Sequence, residues 1–327
     1  MRTFGLALLA VTVVAAVGAP VLAPDAADRS FPGFLNAPPT RPHVVDDGGG
    51  WHAPFIYRWR LESKLEQRYA EDRSSRVPLA WFHDGRLVTS SMEDAPFFLL
   101  GADSYGRDVF SRLLYGARLS LGLSFAAAMG ATILGLLLGG LAGYAGGFLD
   151  DLLMRGSDFV LVLPAMYVAL ALRAALRLVL PPSEVFALLA GIFAVVGAPF
   201  IARGVRAIVR SEKQLDYSTA AASLGASHTR LLLRHLLPAA RGFIAVEITM
   251  LVPSFIVAEA TLSYVGLGFP DPVASWGTML YDASNVRAFA DFPWLLSPAA
   301  AMFLVVLGLN LAMQRGTKSL GYERSQM

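Results

Sequence analysis

Glu247 and Glu259 are the residues of this chain that most invite chemistry, because both fall within or beside an apolar run where an ionised carboxylate is costly to hold. Glu259 lies towards the far end of its run and reads as a gate or helix-packing contact, whereas Glu247 reads as a partner for Arg241 or a group that meets water. His228 and His235 have no acid, base or ligand set nearby and read as surface and packing residues. Asp150 and Asp151 read as an ion-pair cluster with Arg155. The chain has no Gly-x-x-x-x-Gly-Lys phosphate loop, no His-Glu-x-x-His helix and no Ser-His-Asp arrangement. Lacking cysteine, it has no disulfide, thiolate metal site or thiol nucleophile, and its five histidines are scattered. The expectation is a chain that is not an enzyme and binds no cofactor of its own.

Chemistry performed elsewhere needs a mechanical link, and the stretch from Asp216 to Pro238 has the form of one. Tyr217, Ala221 and Leu224 share a face at helical spacing, Gly225 can take the left-handed backbone that ends a helix, and Ser227 can cap the next. The alanines, Ala220 and Ala221 among them, keep the first helix slim enough for another protein to approach its backbone. Arg230 and Arg234 lie four residues apart on the second helix, and Pro238 closes the unit.

The elements around this knob are membrane helices. A mean hydropathy of +0.53, 55% hydrophobic residues and only 16% charged residues are too apolar for an ordinary soluble domain. The net charge of +2 is spread through the segments between apolar runs, with no basic groove, so no nucleic-acid partner is expected. Apolar runs at about residues 4–22, 119–144, 159–178, 185–201, 243–262 and 294–313 predict about six transmembrane helices in an all-α integral membrane protein. The first run reads as a retained anchor (residues 1–23), the competing reading being a cleaved signal peptide. Glycines 139, 140, 143, 146 and 147 read as close helix packing rather than as the lining of a path.

Basic residues set the orientation. Arg155, Arg203, Arg206, Arg210, Lys213, Arg230, Arg234, Arg241, Arg315 and Lys318 share one side if the chain starts inside, which makes both termini cytoplasmic. Arg173 and Arg177 oppose this arrangement and would snorkel. Residues 24–100 become an extracytoplasmic insertion between the first two spans, either a small folded domain or a partly ordered loop. Within it, residues 59–73 predict a charged helix, and residues 77–89 predict a hairpin about Asp84-Gly85.

Five motifs occur in order. They are Gly101-Ala102-Asp103-Ser104-Tyr105-Gly106-Arg107-Asp108; Ala142-Gly143-Tyr144-Ala145-Gly146-Gly147; Ala202-Arg203-Gly204-Val205-Arg206; the Asp216 to Pro238 knob; and Glu259-Ala260-Thr261-Leu262-Ser263-Tyr264-Val265-Gly266-Leu267-Gly268 with Ser275-Trp276-Gly277. Together they resemble the dipeptide/oligopeptide/nickel class of ABC-importer permeases, and within it the second, C-type subunit. Thr219 stands where the family's coupling-loop glutamate is expected, Ala102 replaces a threonine and Ala239 an asparagine, and the tail (residues 315–327) departs from the family pattern.

The resemblance implies a permease domain over residues 101–314 with a cytoplasmic coupling helix. Tyr217, Thr219, Ala220, Ala221, Leu224, Gly225, Arg230, Arg234 and Pro238 would meet an ATPase, and Glu259, Gly266, Gly268 and Trp276 would form a gate or packing set. The implied function is binding-protein-dependent, ATP-driven import of peptides or related small solutes across a bacterial-type inner membrane. The implied partners are a second permease, two ATPase subunits carrying ATP and Mg, an extracytoplasmic solute-binding protein and the lipid bilayer. The alternatives are an ion-coupled secondary transporter and a non-transport membrane scaffold for an ATPase.

Overall fold

In the computed structural model, residues 1–92, 94–162, 167, 171, 180–284 and 290–313 are described. Most of them are helical. The chain runs through α1 (Arg2–Val17), α2 (Ala19–Leu22), strands β1 (His43–Val45), β2 (Trp51–Ser63), β3 (Arg68–His83) and β4 (Arg86–Ser90), then α3 (Val109–Ala145), α4 (Gly147–Val162), α5 (Pro182–Glu212), α6 (Asp216–Ser223) and α7 (His228–Leu231). A π-turn (Leu232–Leu236) and a 3-10 turn (Leu237–Ala240) lead into α8 (Arg241–Tyr264), followed by α9 (Trp276–Asp282) and α10 (Ser297–Met313).

Four helical stretches among the described residues are long and apolar enough to cross a membrane: Val109–Ala145, Pro182–Glu212, His228–Tyr264 and Pro293–Met313. α1 is a shorter apolar helix. The expected third span, residues 159–178, lies largely outside the described residues, as do Arg173, Arg177 and the tail from 315 to 327. At about 1.5 Å per residue α3 is roughly 55 Å long, well beyond a hydrocarbon core of about 30 Å.

The chain forms two compact units, one built on Leu121–Leu262 and the other on Thr3–Ser120 with Ser263–Gly308. In the first, α3 and α5 meet along glycines. A Cβ on Gly139 would sit 2.3 Å from the Ala202 carbonyl oxygen, and one on Gly143 2.6 Å from that of Arg206. Backbones therefore touch directly, as small residues at four-residue spacing allow. Gly146 and Gly147 do something else: with φ of +70° and +57° they form the left-handed turn into α4. Across the same unit Phe193 stacks on Phe255 with ring centroids 5.3 Å apart, joining α5 to α8.

The second unit holds a four-stranded antiparallel sheet in the order β1-β2-β3-β4, so the fold is mostly helical rather than all-α. The predicted hairpin is present. Leu79 pairs with Ser90 and His83 with Arg86, and Asp84 and Gly85 turn the chain with φ of 50° and 74°, both left-handed as a two-residue hairpin loop requires.

The predicted helix over residues 59–73 is not formed. Trp59 instead pairs with Glu71 and Leu61 with Tyr69 across β2 and β3. Glu62, Lys64, Leu65 and Glu66 favour a helix locally, but Arg58-Trp59-Arg60-Leu61 also alternates at strand period. Packing decides between them, because Trp59 and Tyr69 both lie against the buried cluster of Phe31, Phe34, Ala37 and Phe98. A second cluster, Ile56, Val77, Ala95 and Phe97, fills another part of the sheet. α1 and α2 are also packed: Gly308 lies against Leu9, and Ala19 and Ala23 are buried with Leu114.

Candidate functional site

The knob forms as a helix, a corner and a second helix. α6 ends at Leu224, Gly225 takes φ +86°, and its amide donates to the Ala222 carbonyl while that of Ala226 donates to Ala221. A side chain at Gly225 would meet nothing within 4 Å, so glycine is required there by backbone conformation and not by crowding. Ser227 then caps α7, its Oγ accepting from the Arg230 amide at 3.4 Å.

Leu224 is 89% exposed and Tyr217 42% exposed, which places two large apolar side chains in the open beside exposed Ala220. Ala221 is half-buried. The Tyr217 hydroxyl donates to Glu212 Oε2 at 2.6 Å, and that bond to an acceptor pushes its pKa up to about 12. Thr219, at the position of the missing carboxylate, is exposed and turns its Oγ1 back to the Leu215 carbonyl at 3.4 Å. Arg230 and Arg234 are both exposed.

The second helix of the knob does not stop at Pro238. It continues through the π-turn and 3-10 turn into α8. Pro238 has no amide hydrogen with which to hold an α-turn, and the helix changes pitch around it instead of breaking.

Asp150 pairs with Arg206 rather than with the predicted Arg155. The bond is two-pronged, with Arg206 Nη2 donating to Oδ2 at 2.6 Å and Nε donating to Oδ1. Arg206 holds the Asp150 carboxyl below its ordinary range. Arg203 Nη2 donates to Asp158 Oδ1 between the same two helices, a single contact of two exposed side chains. Arg155, five residues along α4 and on another of its faces, gives way to an arginine on a packed neighbour, a contact that the docking of α4 against α5 creates.

In the second unit, the Gly101 to Asp108 motif is a buried ion-pair clasp. Asp103 Oδ1 accepts from the amides of Tyr105 and Arg107, both at 2.9 Å, and Oδ2 accepts from Arg107 Nε at 2.7 Å. The rest of the Arg107 guanidinium reaches Asp271 at 2.6 Å and Asp282 at 3.2 Å. Arg112, 1% exposed at its side chain, lies 3.4 Å from Asp103 and donates to the carbonyls of Ala27 and Pro272. Burial, more than the neighbouring Asp103, pushes Asp282 up to about 6 against the pull of Arg107.

Asp108 caps α3 by accepting from the Ser111 amide at 2.8 Å. Burial still carries its pKa up to about 7. Gly106, at φ +74°, admits the chain: a Cβ there would lie 2.2 Å from the Phe31 carbonyl oxygen. Spacing offered no signal for this clasp, since Asp271 and Asp282 are far along the chain from Arg107.

The four gate or packing residues have separate surroundings. Glu259 is fully buried in α8. Gly266 turns the chain at φ +81° after α8, and Gly268 abuts Ser263, where a Cβ would come within 1.9 Å of its Oγ. Trp276 is 1% exposed, its ring nitrogen donating to the Leu113 carbonyl at 3.2 Å and its amide to Ser120 Oγ at 3.2 Å. Ser275 caps α9 with Thr278 in a reciprocal capping box. Among the described residues, no group of three or more His, Cys, Asp or Glu is arranged to hold a metal ion.

Known proteins share this architecture and sequence. The chain is 37% identical over 212 residues to the oligopeptide transport system permease protein OppC of Bacillus subtilis, covering 64% of this chain and 67% of that protein. It is 39% identical over 212 residues to the dipeptide transport system permease protein DppC of Alkalihalophilus pseudofirmus, again covering 64% and 67%. A crystal structure of the MetNI methionine ABC transporter in an inward-facing conformation superposes with a TM-score of 0.50 at 18% identity, covering 63% of this chain and 95% of that one, which bears on fold alone. Residues 116–320 match the binding-protein-dependent transport system inner membrane component family, and with that match and these relatives the chain belongs to this family of permeases.

Proposed function

We propose that this chain is the C-type permease of an importer for peptides or related small solutes, working with a second permease, two ATPase subunits that hold ATP and Mg, and an external binding protein. The relatives' peptide and dipeptide cargoes support that solute class. The observation that carries the mechanism is the knob: two short helices about a left-handed Gly225, with Leu224 and Tyr217 projecting from an alanine-lined surface. Leu224 and Tyr217 expose their apolar side chains together, beside the exposed Ala220, and a partner surface would remove that patch from water. ATPase closure would move the knob and, through it, the spans.

The reading has six spans, with both termini and the knob on the cytoplasmic side. Residues 24–100 are extracytoplasmic and seat or select the binding protein, since a folded four-stranded sheet exceeds what a helix connection needs. The packing of α1 and α2 through Gly308, Ala19, Ala23 and Leu114 favours retention of the first helix over cleavage. Glu259, Gly266, Gly268 and Trp276 serve helix packing at the external end.

The test uses the cysteine-free background. Single cysteines at Ser74 or Asp84 should react with a membrane-impermeant maleimide from outside, and one at Ser227 should not. In proteoliposomes carrying the whole complex, the binding protein should stimulate ATP hydrolysis and uptake. Uptake without ATP would replace this mechanism with ion-coupled transport.

A further inference from the structure

The knob is fastened to the first unit by more than its two chain connections. At the C-terminal end of α3, the Tyr144 carbonyl accepts from Lys213 Nζ at 2.6 Å, and the same ammonium lies 4.8 Å from the centre of the Tyr144 ring. The Tyr144 hydroxyl shares a hydrogen bond with Nδ1 of His228, the first residue of α7, and the two rings meet edge to face with centroids 5.8 Å apart. Lys213 directly follows α5, and beside it Glu212 accepts from Tyr217 in α6. One tyrosine thus touches both the end of α5 at Lys213 and the second helix of the knob at His228.

Its position gives these contacts leverage. Tyr144 is the last large side chain of α3 before the left-handed Gly146 and Gly147, so the helix ends at the contact. A lysine at a helix C-terminus also meets the carbonyl end of the helix dipole, which favours this cation there. Above the contact, the glycine seam with its backbone approaches at Gly139 and Gly143 leaves α3 and α5 no room to slide independently.

We propose that Tyr144 is a positioning residue for energy coupling: a strut that makes α3 follow the knob together with α5 and α8. Without it the knob keeps its covalent connections to α5 and α8, and among the described residues α3 meets it only through the loose packing of Leu232 and Leu237 beside Gly140, with no directed bond. This rests on the reading of the knob as the ATPase contact, and it adds the route by which movement there reaches a span to which the knob is not joined in sequence.

The experiment uses the whole importer in proteoliposomes and measures solute taken up per ATP hydrolysed. Tyr144→Phe keeps the ring and its cation contact but removes the bond to His228. It should leave ATPase co-purification and melting temperature at the wild-type level while lowering uptake per ATP about fivefold, as one lost hydrogen bond would. The double variant Tyr144→Cys with His228→Cys should fall at least as far and recover when a short bismaleimide bridges the two sites. Unchanged uptake per ATP in Tyr144→Phe and Tyr144→Ala, or a bridged double variant that regains nothing, would overturn the strut. If the wild-type complex itself shows no binding-protein-stimulated uptake, the importer reading fails instead, so the two failures are distinct.

Discussion

The knob around Gly225 and the clasp around Arg107 are both dense sequence motifs, yet they face opposite ways. Most residues of the knob's first helix, α6, are small or exposed and bond within that helix, and Leu224 beyond it stands almost free. Clasp residues are bonded to one another about a buried centre, Arg107 reaching buried Asp103, half-buried Asp282 and exposed Asp271 at once. The contrast separates two reasons for a motif. The clasp's residue types are demanded by partners inside the chain, whereas those of the knob are left unexplained until a second protein is supplied.

Breaking the clasp should have the largest effect. Arg107→Ala removes the cation from between Asp103, Asp271 and Asp282 and leaves the buried Asp103 carboxylate without its partner and facing Asp282, so a loss of about 3–5 kcal/mol is expected. The purified protein should melt at a markedly lower temperature or fail to leave detergent extraction as a monodisperse species.

The knob's corner comes next. Gly225→Val forces a β-branched residue into φ +86° at a local cost of about 1–3 kcal/mol. Because nothing packs against that position, membrane insertion and the sheet of the second unit should survive, and uptake should be lost. Normal ATP-driven uptake by this variant would remove the corner from the coupling route.

The clasp also carries a pH signature. Asp282 titrates near 6 in the folded chain and near 3.8 when unfolded, so the folded state holds its proton more tightly. Stability contributed by that proton is complete below about 3.8 and is lost as pH rises through about 6. Asp282→Asn should therefore lessen the fall of the melting temperature between those limits, with buried Asp108 supplying the slope that remains up to about 7. A wild-type slope in this variant would assign the titration to another group.

Ala221→Arg should have the smallest effect on the fold, under about 0.5 kcal/mol, because it adds a charge to a half-buried surface with few internal contacts. Its effect should appear only in the assembled complex, as loss of ATPase co-purification. Should co-purification persist with full uptake, the partner surface must lie on another face of the knob. Thr219→Glu sharpens the point: an exposed hydroxyl bonded only to its own helix leaves space for a carboxylate, so the isolated chain should be unaffected.

How much was legible beforehand differed by the range of the interactions. Gly225, Ser227 and the Asp84-Gly85 turn act through their own backbone neighbours, and each formed as its residue type predicts. The stretch from Trp59 to Arg73 carried two periodicities, and the distant Phe31 cluster selected the strand. Arg206 displaced Arg155 as the partner of Asp150 for a related reason: five residues of separation on one helix puts the two on different faces, whereas docking against α5 offers a two-pronged, part-buried pair.

By itself, the sequence determined the family, four long apolar helices and the turns at Gly225, Ser227 and Asp84-Gly85, since those depend on hydrophobicity and on local φ and ψ. Only the tertiary structure decided that Asp271 and Asp282 close on Arg107, that Trp276 fills the space left by Gly116, and that Tyr144 meets His228. Those partners are separated by long stretches of chain, and pairing at such distances is set by how whole helices and strands pack, which no local residue pattern encodes.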